Sequence, residues 1–167
     1  MDVISHGLWG GLVFGRQRRR DYWIAFCLGV APDVLAFAVI TVQQILGVNA
    51  VDWSDAAGAR AAIPDYVYGL YDITHSLVVF TGLFGLVWLF KKKPYIPLLA
   101  WGFHILLDIF THSADFFPTP IFWPISDFHI NGVSWSHPII FASNWILLLA
   151  GYAVVLYYRR TTKNKKI

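Results

Sequence analysis

The stretch YIPLLAWGFHILLDIFTHSADFF, residues 95–117, decides how this chain is read. It runs apolar for long enough to resemble a membrane-crossing helix, yet it carries His104, Asp108 and His112, each four residues after the last. At 3.6 residues per turn, positions i, i+4 and i+8 line one helix face. A charged side chain at bilayer depth costs roughly 2.5–3.5 kcal/mol or more unless it is paired, hydrated or bound to a metal. The stripe therefore asks for a partner.

The rest of the chain makes the bilayer the expected solvent. The 167 residues are 57% hydrophobic and only 14% charged, against about 25% charged in an ordinary soluble domain. Apolar runs at 22–46, 66–90, 95–114 and 137–158 each reach the roughly 20 residues needed to cross a hydrocarbon core. A shorter apolar piece, 3–15, precedes them. The expected fold is all-α: one transmembrane domain over residues 1–167, with four full spans and a short N-terminal helix inserted in the bundle. As helix, Met1 to Gly15 covers about 22 Å, so a short span and a half-helix both fit. A signal peptide does not fit, because the basic block begins only at Arg16 and the next apolar run is too long.

Charge placement orients the bundle. Arg16 and Arg18–Arg20, then Lys91–Lys93, then Arg159, Arg160, Lys163, Lys165 and Lys166 hold all but one of the 13 basic residues. With four spans these blocks share one side, which the positive-inside rule makes cytoplasmic. A multi-pass protein of a bacterial inner membrane with a cytoplasmic C-terminus is expected. Basic blocks flanking apolar runs fit membrane anchoring rather than nucleic acid. Cys27 is the lone cysteine, so neither a disulfide framework nor a thiolate zinc site can form. Every acid in the chain is Asp.

Counting about 1.5 Å per residue from the basic ends brings His6, Asp33, His75, His104 and Asp108 to similar heights between the midplane and the outer third. Imidazole nitrogen and carboxylate oxygen are the donors of a divalent transition metal, zinc foremost. Facing helices of a bundle can supply them together. Plainer readings stand beside this one. His104 and Asp108 could be a satisfied i,i+4 pair, and Asp33 could serve backbone groups loosened by Pro32. Thr74 and Ser76 could bond within their own helix around His75. His112 lies near the interface, His129 in the outer loop, and His137 at the start of the last span.

The ordered set SHG (His6), APD (Asp33), THS (His75) and HILLD (His104, Asp108) resembles the bacterial membrane-bound metal-dependent hydrolase family. The following THSADFFPTPIFWPISDFHINGVSW is similar to the Pro- and aromatic-rich tail of one of its branches. The ligand order is also similar to that of zinc-dependent phospholipase C. The resemblance implies metal ligation by His6, Asp33, His75, His104 and Asp108, with His112 available to another metal. Val34, Leu35 and Ala36 stand where many relatives carry a second acid and a His. Asp72 falls near a common Arg position, and no Glu is present. One or two metals are therefore expected rather than three.

The expected chemistry is hydrolysis of a phosphoester or lipid-like substrate by metal-activated water, from the extracytoplasmic side. Asp72, Asp115 or His112 could take the proton from that water. The rival expectation is a metal- or proton-conducting transporter or accessory membrane protein, since midplane Asp and His also build relays. No inverted repeat supports it.

Overall fold

The computed structural model describes residues 1–48, 51–52 and 56–164. The helices are α1 (Val3–Phe14), α2 (Arg19–Ile45), α3 (Ala56–Ala62), α4 (Asp65–Thr74), α5 (Leu77–Lys91), α6 (Leu99–Thr111) and α7 (Pro138–Asn164). No strand occurs among the described residues. Lys165 and Lys166 of the last basic block lie outside them.

Two helices, α2 and α7, are long and apolar enough to cross a membrane unbroken, where four such spans were expected. The run 66–90 is not one helix. It divides into α4 and α5, which meet at 53° and make a third span only if taken together. Ser76 causes the break: its hydroxyl accepts from the backbone of Val78 and Val79, an N-cap that starts α5 afresh. The loop after α6 completes the junction, with Ser76 Oγ donating to Trp123 O at 2.6 Å and Leu77 N to Ile121 O at 3.0 Å. The run 95–114 yields a shorter helix, Ile96–Thr111. Pro97 holds its first turn, Ile96–Leu98, in a 3₁₀ form, and extended backbone at His112 ends it.

The N-terminal piece is a buried helix. Asp2 caps α1 by accepting from Ser5 N at 2.9 Å. α1 runs antiparallel to α2, pairing His6 with Gly29, Gly10 with Ala25 and Gly15 with Tyr22. Bare glycines permit that approach: a Cβ on Gly29 would fall 2.6 Å from His6 O, and one on Gly10 2.6 Å from Ala25 O. α7 is fastened from the other side by polar contacts suited to membrane helices. Trp9 Nε1 donates to Asn144 Oδ1 at 2.8 Å, and Asn144 Nδ2 to Ser5 Oγ at 2.7 Å.

Arg159 donates to the carbonyl of Arg16 at 2.9 Å, so the start of α2 and the end of α7 meet at one basic end. Toward the opposite end an apolar core gathers Ala36, Ile40, Val67, Tyr71 and Phe117 from α2, α4 and the loop after α6. The outward faces are greasy. α5 has no buried residue, and its Leu86, Leu89 and Phe90 are more than half exposed. Contiguous apolar surface of this kind is rare against water and is what a bilayer accepts.

Candidate metal centre

Five buried residues from four segments converge where α1, α2 and α6 pack together: His6, Asp33, His75, His104 and Asp108. His6 comes from α1 and Asp33 from α2, one residue after Pro32. His75 occupies the break between α4 and α5, which turns its ring inward. His104 and Asp108 occupy successive turns of α6.

The imidazoles are held from behind. His104 Nδ1 lies 2.6 Å from Gly29 O, and a carbonyl only accepts, so Nδ1 carries the proton. His75 Nδ1 lies 2.9 Å from Thr74 Oγ1 and 3.2 Å from Tyr71 O. Thr74 already donates to Leu70 O at 2.8 Å, so His75 is the donor here too. Both Nε2 atoms then present lone pairs inward, the arrangement by which outer partners orient metal-binding histidines. Trp101 Nε1 donates to the freed carbonyl of Thr74 at 2.8 Å and closes the accounting at the helix break.

The inward atoms form a compact tetrad. His75 Nε2 lies 3.0 Å from His104 Nε2. Asp33 Oδ1 is 3.4 Å from His75 Nε2 and 3.7 Å from His104 Nε2. Asp108 Oδ2 is 3.6 Å and 3.1 Å from the same two nitrogens. All four ligand atoms lie within 4.8 Å of one another. Bonds of 2.0–2.1 Å in a tetrahedron would separate the donors by roughly 3.3–3.4 Å. Among the described residues, Asp33 Oδ2 and His6 Nδ1 are buried without a hydrogen-bond partner. Each orphan of that kind costs about 1–3 kcal/mol. Asp33, His75, His104 and Asp108 could thus hold a metal ion.

Asp108 also faces a second group through its other oxygen. Oδ1 lies 3.0 Å from His6 Nε2 and 3.5 Å from His112 Nε2. The Met1 nitrogen sits against Oδ1 and 3.3 Å from His112 Nε2. The His6 ring stacks on His104 with centroids 3.5 Å apart. His112 Nδ1 lies 2.8 Å from Phe117 O and 2.9 Å from the Tyr71 hydroxyl, which itself donates to Phe117 O at 3.1 Å. Tyr71, absent from the sequence-based set, thus braces His112 and also stacks on His75 at 3.8 Å. Its signal was available: Tyr71 and His75 stand four residues apart on one helix face.

Asp72 does not join the group. The next residue on α4 is rotated about 100° from Tyr71, and half-buried Asp72 lines neither the tetrad nor the adjoining cavity. Asp115 is exposed in the loop. His129 is exposed there as well, and the backbone of His137 accepts from Phe141 at the start of α7. The cavity has a volume of about 610 Å³ and reaches the group at Asp33 and His112. Its walls come from the C-terminal half of α2, the N-terminus of α1 and the loop after α6.

Comparison with protein-family models, with curated proteins and with solved structures finds no match for this chain.

Proposed function

We propose that this chain is a membrane-embedded, metal-dependent hydrolase acting on a phosphoester of a lipid-like molecule from the extracytoplasmic side. The observation that carries the metal is the set of five donor–donor distances, 3.0 to 3.7 Å, among Asp33, His75, His104 and Asp108. Zinc matches a nitrogen and carboxylate set that lacks sulfur. Asp108 Oδ1 and His6 Nε2 offer a second cation position beside the Met1 nitrogen, so that one carboxylate would serve two ions and His112 Nε2 is left as a base. The basic end of the bundle faces the cytoplasm by the positive-inside rule, which leaves the cavity on the outer side.

Bound divalent ions would supply Lewis acidity and bring the pKa of water toward about 7. The protein's own groups supply the remainder. His112 lines the cavity, and its Nδ1–H is held by Phe117 O, so Nε2 can accept a proton from water. The oxygen of water adds to phosphorus, the P–O bond to the apolar group breaks, and the leaving alkoxide takes back the proton that His112 accepted, giving the alcohol and inorganic phosphate. Phe37, Phe116 and Phe117 exclude bulk water from this step. A carrier would need a route toward both faces. Beneath the group, Ala25 and Ala100 are buried against Gly10, and this favours the enzyme.

The test is elemental analysis of detergent-purified protein beside a His104→Ala, Asp108→Ala variant, with phosphate release from alkyl phosphates measured on both. One to two metal equivalents and chelator-sensitive release are expected, both lost in the variant. Metal retained by the variant would overturn the ligand set, and metal without turnover would overturn the hydrolase.

A further inference from the structure

The cavity above the metal group is built unlike a site for a water-soluble substrate. The cavity lies along one side of the C-terminal half of α2, beside the first residues of α1 and the loop after α6. Val34, Ala38 and Val42 recur every fourth residue along one side of α2 and form a wall about 12 Å long. Phe37, Phe116 and Trp135 complete the enclosure. The polar part of the lining is Asp33 and His112 beside the metal group, Met1 and Asp2 at the start of α1, and the hydroxyls of Thr41, Thr111, Ser113 and Ser134. Val34 and Val42 are 48% and 54% exposed, so the wall is also open sideways toward lipid.

We propose that this cavity holds the apolar chain of a single-chain alkyl or prenyl phosphate, with the phosphate on the floor at Asp33 and His112. Volume sets how much of a chain the cavity covers. At about 30 Å³ per water-sized group, 610 Å³ accommodates roughly twenty heavy atoms, which a phosphate and about fifteen carbons of one chain would fill. Charge selects the head group, and this step rests on the metal reading above. Two divalent ions and the Met1 ammonium, set against the carboxylates of Asp2, Asp33 and Asp108, leave a net charge of +2, the complement of a phosphate monoester dianion. A longer chain continues between Val34 and Val42 into the outer leaflet. Ala38 is then the residue that sets chain access, because its small side chain leaves the middle of the wall open.

The probe is dodecyl phosphate carrying a diazirine at the chain end, irradiated with zinc-loaded protein in detergent and mapped by peptide mass spectrometry. Labelling is expected within residues 34–42 and at Phe116 or Trp135, competed by unmodified dodecyl phosphate but not by inorganic phosphate. Ala38→Trp fills the cavity without touching the buried core, since Ala38 is exposed; it should cut labelling at least tenfold while bound metal stays at the wild-type level. Val42→Trp serves as a second obstruction nearer the rim. Labelling spread equally over Leu86 of α5 and Ile146 of α7, or unchanged by both obstructions, overturns the chain site. Competition by inorganic phosphate as strong as by the alkyl phosphate would overturn it as well. The two proposals fail separately. Cavity labelling without phosphate release from any alkyl phosphate removes the hydrolase and keeps the chain site. Phosphate release that Ala38→Trp leaves equal for dodecyl and ethyl phosphate keeps the hydrolase and removes the chain site.

Discussion

His75 Nε2 and His104 Nε2 face each other at 3.0 Å, although both rings have committed their Nδ1 protons to oxygen acceptors behind them. Two neutral imidazoles in that state point lone pair at lone pair, an arrangement that a shared cation resolves. Metal binding should therefore be coupled to stability. Stripping the protein with a strong chelator should lower its unfolding temperature in detergent, and stoichiometric zinc should restore it. At a free metal concentration 100 times the dissociation constant the gain is about 2.7 kcal/mol. A melting temperature that ignores both chelator and zinc would mean that a proton, held between the rings, does this work instead.

The closeness of α1 to α2 leads to a second expectation. A methyl group on Gly29 would meet His6 O at 2.6 Å, and the obstructing atom is backbone. Gly29→Ala should therefore displace α1 and cost about 1–3 kcal/mol by overpacking. His6 moves with its helix while Asp33, His75, His104 and Asp108 stay on others, so one metal equivalent should be retained and any second equivalent lost. Elemental analysis and thermal unfolding of the same sample check both halves.

How much of this could be read from the sequence depends on which part of it is local. Helix rise alone brought His6, Asp33, His75, His104 and Asp108 to one height, because depth along a straight helix is arithmetic. The break at His75 is not legible that way, since 66–90 is long and apolar enough overall for one span and periodicity does not mark a junction inside it. Its signal was Ser76, an N-cap residue whose hydroxyl was read as bonding within a continuous helix and instead starts a new one. Asp72 stands apart from the converging residues for a related reason. Height says nothing about azimuth, and Tyr71 rather than its neighbour faces inward. The outer loop's role in holding His112, through the carbonyl of Phe117, is a contact between chain-distant backbone and side chain that no spacing rule encodes.

Tyr71→Phe isolates that bracing. The ring remains to stack on His75 and to fill the apolar core, while the hydroxyl shared with His112 and Phe117 O disappears. Metal in the tetrad should be retained, because none of its four residues bonds the Tyr71 hydroxyl. Loss of an outer-shell partner of this kind typically reduces affinity or activity by about 10–100-fold. Here the loss should fall on phosphate release rather than on the first metal equivalent, and parallel measurement of the two separates a positioning role from a general loss of structure.

The last expectation concerns which residue takes the proton. His112 lines the cavity with Nε2 turned inward, whereas Asp72 lies one helical position away from the inward face. His112→Gln keeps a polar side chain of similar reach and removes the basic nitrogen. Loss of a general base typically costs about 10²–10⁴-fold in rate, so phosphate release should drop by at least that lower figure. His112 also stands 3.5 Å from Asp108 Oδ1, so the variant should be assayed at saturating zinc to keep a weakened second ion from being mistaken for a lost base. Asp72→Asn under the same conditions should leave the rate within about twofold, as expected of a residue outside the group. The reverse outcome, a silent His112→Gln and an inactive Asp72→Asn, would move the chemistry to the loop side of α4 and away from the cavity.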